Sequence, residues 1–244
     1  MKKMMLTSAV LMLALFSIAQ EKKKGLLGKV NSAISSAKSG SGTSLSNEEI
    51  VAGLKEALSV GAQNSSNKLA SADGFFKDAA VKVLWPAEAQ KVEKTLRNLG
   101  MGKLVDDAIL SLNRAAEDAS KSAAPIFVNA VKQMNVKDAL GILKGADTSA
   151  TSYLRKVTTT DLTTSFKPVI ESSLQKVNAT KYWQVVFDTY NKLPTTMTKV
   201  NPDLSEYATQ KALNGIFYYV ADEEKKIRSN PAARVSDILK KVFG

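Results

Sequence analysis

Residues 103–121 read KLVDDAILSLNRAAEDASK. At roughly 100° per residue, Leu104, Val105, Ala108, Ile109, Leu112, Ala115, Ala116 and Ala119 share one side of a helix. Asp106, Asp107, Leu110, Asn113, Arg114, Glu117, Asp118 and Lys121 fall in an arc of about 140° on the other. The stretch is therefore an amphipathic helix with a wholly apolar face to bury. Its polar arc has two readings. Asn113 with Glu117 and Arg114 with Asp118 are spaced i, i+4, the pattern of a helix surface that stabilises itself in water, and a solvated face is the expectation. If the arc is instead a site, its residues are Asn113, Arg114, Glu117 and Asp118. Arg114 would then bind or orient an anion, and the carboxylates would hold a cation or polar ligand, or divide into acid and base if one were desolvated. Leu110 sits in the middle of this arc and asks for a cover.

The same periodicity extends along the chain. Ser46-Asn47-Glu48-Glu49 is a capping box ahead of Ile50, Leu54, Ala57, Leu58 and Gly61. Pro86, Pro125, Pro202 and Pro231 stand at helix starts, Asn230 can cap the helix at Pro231, and Gly100 and Gly145 follow helical runs as stops. The spacing predicts helices over 47–69, 74–84, 86–99, 103–121, 125–134, 136–144, 148–157, 161–177, 180–192, 204–228 and 231–243. Val157-Thr158-Thr159-Thr160 and Thr195–Val200 are rich in β-branched residues. A hairpin between them is the alternative, but neither alternates over a sustained run, and loops are expected. The predicted fold is all-α: one compact multi-helix domain of about ten short helices over residues 46–244.

Composition narrows the chemistry. The 244 residues contain no Cys and no His. That removes disulfides, thiol nucleophiles, Ser-His-Asp triads and Cys/His metal sites. There is no phosphate loop and no nucleophile elbow, so no cofactor and no metal centre is expected. At the N-terminus, Lys2 and Lys3 precede an apolar run from Met4 to Phe16 and the small residues Ser17 and Ala19. This is the form of a secretory leader, with cleavage expected after Ala19. The run is too short for a membrane anchor, and the lysines beyond it oppose the usual orientation. No Cys stands there to carry a lipid. Residues 20–45 form a basic tail and Ser/Gly-rich linker, and the remainder is expected to be soluble and periplasmic or secreted, without an integral membrane segment. The formal charge of +11 is not gathered into a dense basic stripe with stacking aromatics, so nucleic acid is not an expected partner. Lys22, Lys23 and Lys24 offer at most a weak contact with an anionic surface.

Several long runs resemble a family of exported bacterial proteins known as domain of unknown function 4197. They are EEIVAGLKEALSVGAQNS (48–65), DGFFKDAAVKVLWP (73–86), LVDDAILSLNRAAEDA (104–119), NATKYW (178–183), VNPDLSEYATQKALNGIF (200–217) and RSNPAARVSDILKKVFG (228–244). The resemblance implies a bacterial, exported protein and brings no catalytic residue with it. Function is left to the residues. A binding or scaffolding role in the envelope, toward an unknown protein or small ligand, is the first expectation. A carboxylate-based hydrolase using Glu117 and Asp118 and a peripheral membrane binder using the basic tail are the alternatives. Two aromatic sets remain. Tyr182, Trp183, Val186, Phe187, Tyr190 and Leu193 read as core. Tyr207, Lys211, Asn214 and Tyr218 line one face of a long helix whose other face is apolar, which makes that helix central. Its tyrosine face, with Tyr207 and Tyr218 as candidate aromatic surface, is expected to lie under a neighbouring helix rather than along a groove.

Overall fold

Nine α-helices and two 3-10 turns build the described part of the chain, and no strand occurs among the described residues. A computed structural model describes residues 45–176, 179–192, 199, 203–234 and 236–243. Residues 1–44, where a leader and a basic tail are expected, and most of the Thr195–Val200 segment lie outside the described residues. Residues Leu45–Gly244 form one compact unit.

Helix α1 (Asn47–Ala70) starts at the capping box: Ser46 Oγ accepts from Glu49 N–H, and Glu49 Oε2 accepts from Ser46 N–H at 2.9 Å. A turn segment follows, then a 3-10 turn at Ala87–Ala89, α2 (Gln90–Asn98) and α3 (Gly102–Ser120). Gly100 ends α2 with φ of 80°, in the left-handed region that favours glycine. Helices α4 (Ala123–Gln133) and α5 (Val136–Lys144) are short, whereas α6 (Ser149–Lys176) runs for 28 residues. α7 (Ala179–Asn191), α8 (Leu204–Ser229), a 3-10 turn at Pro231–Ala233 and α9 (Asp237–Phe243) complete the order.

α8 is the central element. It packs against α1, α3, α6 and α7, and Leu204, Ala208, Ala212, Leu213, Ile216, Phe217 and Val220 are all buried. Gly215 lies on it where the Phe75 ring approaches: a Cβ there would stand 2.5 Å from Phe75 Cε1. The smallest residue is what lets that ring reach the core.

Two sequence expectations are corrected. Val157–Thr160 is neither loop nor hairpin but the middle of α6. Leu154, Thr158, Leu162, Phe166, Ile170 and Leu174 are buried at four-residue spacing straight through it. The threonine hydroxyls are satisfied locally, Thr158 Oγ1 donating to Leu154 O and Thr159 Oγ1 to Arg155 O, so β-branching does not break the helix. Conversely, 74–84 is not helical: it forms turns and then an irregular stretch in which Val81, Val83 and Trp85 are buried while Leu84 is exposed. Asp73 opens this segment with φ of 66°, a left-handed geometry that a continuing helix cannot use. Gly74 follows so close to α1 that a Cβ would lie 2.5 Å from Lys68 O.

Candidate functional site

The segment from Asp73 to Trp85 lies across the polar arc of α3, and this changes what that arc is. Glu117 Oε1 accepts from the backbone N–H of Phe75 at 3.1 Å and of Phe76 at 3.2 Å. Its Oε2 accepts from Arg114 at 2.6 Å, and Arg114 also reaches Asp73 at 2.7 Å. The side-chain amide of Asn113 brackets one residue, accepting from Val83 N–H and donating to Val83 O, both at 2.8 Å. It also donates to Ile109 O at 2.7 Å on its own helix. Backbone groups of the 73–85 segment are thus paired by side chains of α3.

The expected solvated face is therefore corrected for Asn113 and Glu117, which are buried. A buried carboxylate needs such partners to remain in place. Arg114 is partly exposed. Asp118 lies at the surface with Lys121 at 2.7 Å. Asn113, Arg114 and Glu117 come together on the 73–85 segment, and Asp118 does not join them. Among the described residues, no group of three or more acidic side chains is placed to hold a metal ion.

Leu110 is half-buried. It lines a cavity of about 420 Å³ together with Leu104, Asp107, Ala108, Ser111 and Leu112 from the same helix. Leu96 of α2, Ala179, Trp183 and Phe187 of α7, Leu204 of α8 and Trp85 close the lining. This volume falls within the roughly 300–1,000 Å³ of small-molecule sites. Trp85, Trp183 and Phe187 form an aromatic cluster: the two indoles meet edge-on with centroids 5.4 Å apart, and Trp183 lies 4.2 Å from Phe187. Both indoles are buried, yet neither Nε1–H has a hydrogen-bond partner among the described residues. Buried indole donors ordinarily find acceptors, and each orphan carries a desolvation cost of about 1–3 kcal/mol.

Tyr207 fixes the other side of the cluster. Its ring stacks at 6.3 Å on Trp183, and its hydroxyl donates to Leu84 O at 2.6 Å. Burial, with Glu88 adding a negative charge, pushes its pKa up to about 12, so the hydroxyl stays a donor. The residue beside Trp85 is thus held from both sides, Val83 by Asn113 and Leu84 by Tyr207. Tyr207→Phe is expected to lower unfolding free energy by about 0.5–1 kcal/mol in urea denaturation. An unchanged midpoint would show that the hydroxyl anchors nothing.

The expected cover over the tyrosine face of α8 is corrected. Tyr218 is 51% exposed, and Lys211 and Asn214 are also exposed. Tyr207 and Lys211 instead border a second, polar recess, with Pro86, Ala87, Glu88, Trp183 and Lys199. Within the α7 aromatic set, Trp183 and Phe187 are buried as expected; Leu193 and the side chains of Tyr182, Val186 and Tyr190 lie outside the described residues. The role of Trp85 is hidden in the sequence because the segment carrying it reads as helix. The period-two burial of Val81, Val83 and Trp85 is the signal that could have revealed it.

An all-helical unit with an aromatic, largely apolar cavity is the class of protein that this geometry defines. The sequence model of a family described as Protein of unknown function (DUF4197) matches residues 44–244, and the chain belongs to that family. No curated protein and no solved structure matches it. Among the described residues, no helix is long and apolar enough to cross a membrane.

Proposed function

We propose that the protein is a binding module of the bacterial envelope that takes a small, largely apolar ligand into the cavity between α3 and α7. One observation carries this reading: a cavity of ligand size is lined mainly by apolar and aromatic side chains, with Trp85, Trp183 and Phe187 grouped in its wall. The envelope location rests on the leader read at residues 1–19. A carboxylate hydrolase has less support, because both oxygens of Glu117 are engaged by the protein's own groups. In our reading, Asn113, Arg114 and Glu117 shape the site and do not touch its ligand.

The test uses dodecanol, followed by calorimetry on the purified chain. Ala108 lines the cavity from a helix, so Ala108→Phe intrudes into it and reduces the space for a ligand. Wild type is expected to bind one dodecanol per chain, and Ala108→Phe to weaken binding by about tenfold or more, or about 1.4 kcal/mol, with its circular dichroism spectrum preserved. No heat of binding to wild type, or equal affinity in a folded variant, would overturn the reading.

A further inference from the structure

The apolar cavity and the polar recess share one wall, Trp183. On the first side the lining is mainly hydrocarbon and aromatic ring. On the second side stand Lys199 and Lys211, with Glu88 as the recess's acid. Lys211 holds its ammonium 5.5 Å from the Tyr207 ring centroid, and Tyr207 stacks on Trp183. The cavity's own carboxylate, Asp107, is already ion-paired with Lys103 at 2.7 Å. Cationic side chains thus border the polar recess next to the indole that it shares with the apolar cavity.

From this juxtaposition we infer that the ligand is a single-chain anionic amphiphile, its hydrocarbon in the cavity and its carboxylate-type head past Trp183 against Lys199 and Lys211. The inference rests on the cavity reading above and adds the identity of the head group. Hydrocarbon burial supplies the non-directional part of the affinity. The lysines add attraction at a solvent-facing edge, where each ion pair is worth little alone. Charge is therefore a selector here and the chain length is the anchor.

Dodecanoate, dodecanol and dodecylammonium, each below its micelle concentration, separate the two readings. The chain contains two tryptophans, and both line the cavity, so intrinsic emission reports on this site. Dodecanoate is expected to bind about tenfold more tightly than dodecanol, with dodecylammonium the weakest. The double variant Lys199→Ala, Lys211→Ala should bring dodecanoate to the dodecanol value and leave dodecanol itself unchanged. Equal binding of acid and alcohol, a preference that survives the double variant, or tighter binding of the amine would overturn the head-group inference and leave the cavity reading intact. Failure of all three to bind would overturn both.

Discussion

Glu224→Ala is expected to cost about 3–5 kcal/mol of unfolding free energy. Glu224 is buried in α8 and closes the start of α6, accepting from Ala150 N–H at 3.0 Å, Thr151 N–H at 2.9 Å and the Thr151 hydroxyl at 2.8 Å. It is ion-paired to Arg228 at 2.9 Å, and Arg228 in turn donates to Ile142 O at 2.8 Å, at the end of α5. A carboxylate at a helix N-terminus satisfies donors that have no partner inside the helix and meets the positive end of its dipole. Truncation leaves those donors and a guanidinium together where three helices converge. Urea unfolding followed by far-ultraviolet circular dichroism measures the loss. Glu224→Gln keeps acceptor capacity and should recover part of it. A cost below about 1 kcal/mol for the alanine variant would mean that water replaces the carboxylate without strain.

Glu117→Ala is expected to cost about 3 kcal/mol, mostly from two backbone N–H groups deprived of their acceptor. Arg114 adds little to that figure because it is partly exposed and still has Asp73. The second consequence is functional. The 73–85 segment loses its hold near Phe75 and Phe76 while Asn113 still holds Val83, so Trp85 should become more mobile and its emission should shift to longer wavelength. Dodecanol affinity should fall in a variant that remains helical. Glu117→Gln should preserve the emission, since its amide oxygen still serves both N–H groups. If the alanine variant kept native emission and affinity, the polar clamp would have no part in shaping the cavity.

These residues also show what the sequence made legible. Helix starts and stops were readable because they are local: Ser46 with Glu49, Gly100 and Gly145 are decided by neighbours a few positions away. The sequence divides α6 in two when β-branched residues at 157–160 are weighed above the four-residue spacing from Leu154 to Leu174, and tertiary packing overrides a propensity worth tenths of a kcal/mol per residue. The fate of Asn113 and Glu117 was not local at all. Glu117 meets backbone 41 and 42 residues away, and Asn113 meets it 30 residues away. An i, i+4 pattern cannot tell a side chain that faces water from one that pairs with a distant segment. Leu110 was the single discord within that arc, and it does line the cavity. The cavity itself was hidden because it needs Trp85 and Trp183, nearly a hundred positions apart, to stand in edge contact.

The most direct measurement is the ¹H–¹⁵N spectrum of the chain's two indole N–H groups during titration with dodecanol. The account predicts that at least one of the two signals moves to a saturating position as its ring meets the ligand, at the same ligand concentration that saturates the calorimetric heat. Two indole signals that stay fixed while bound dodecanol reaches one per chain would contradict it.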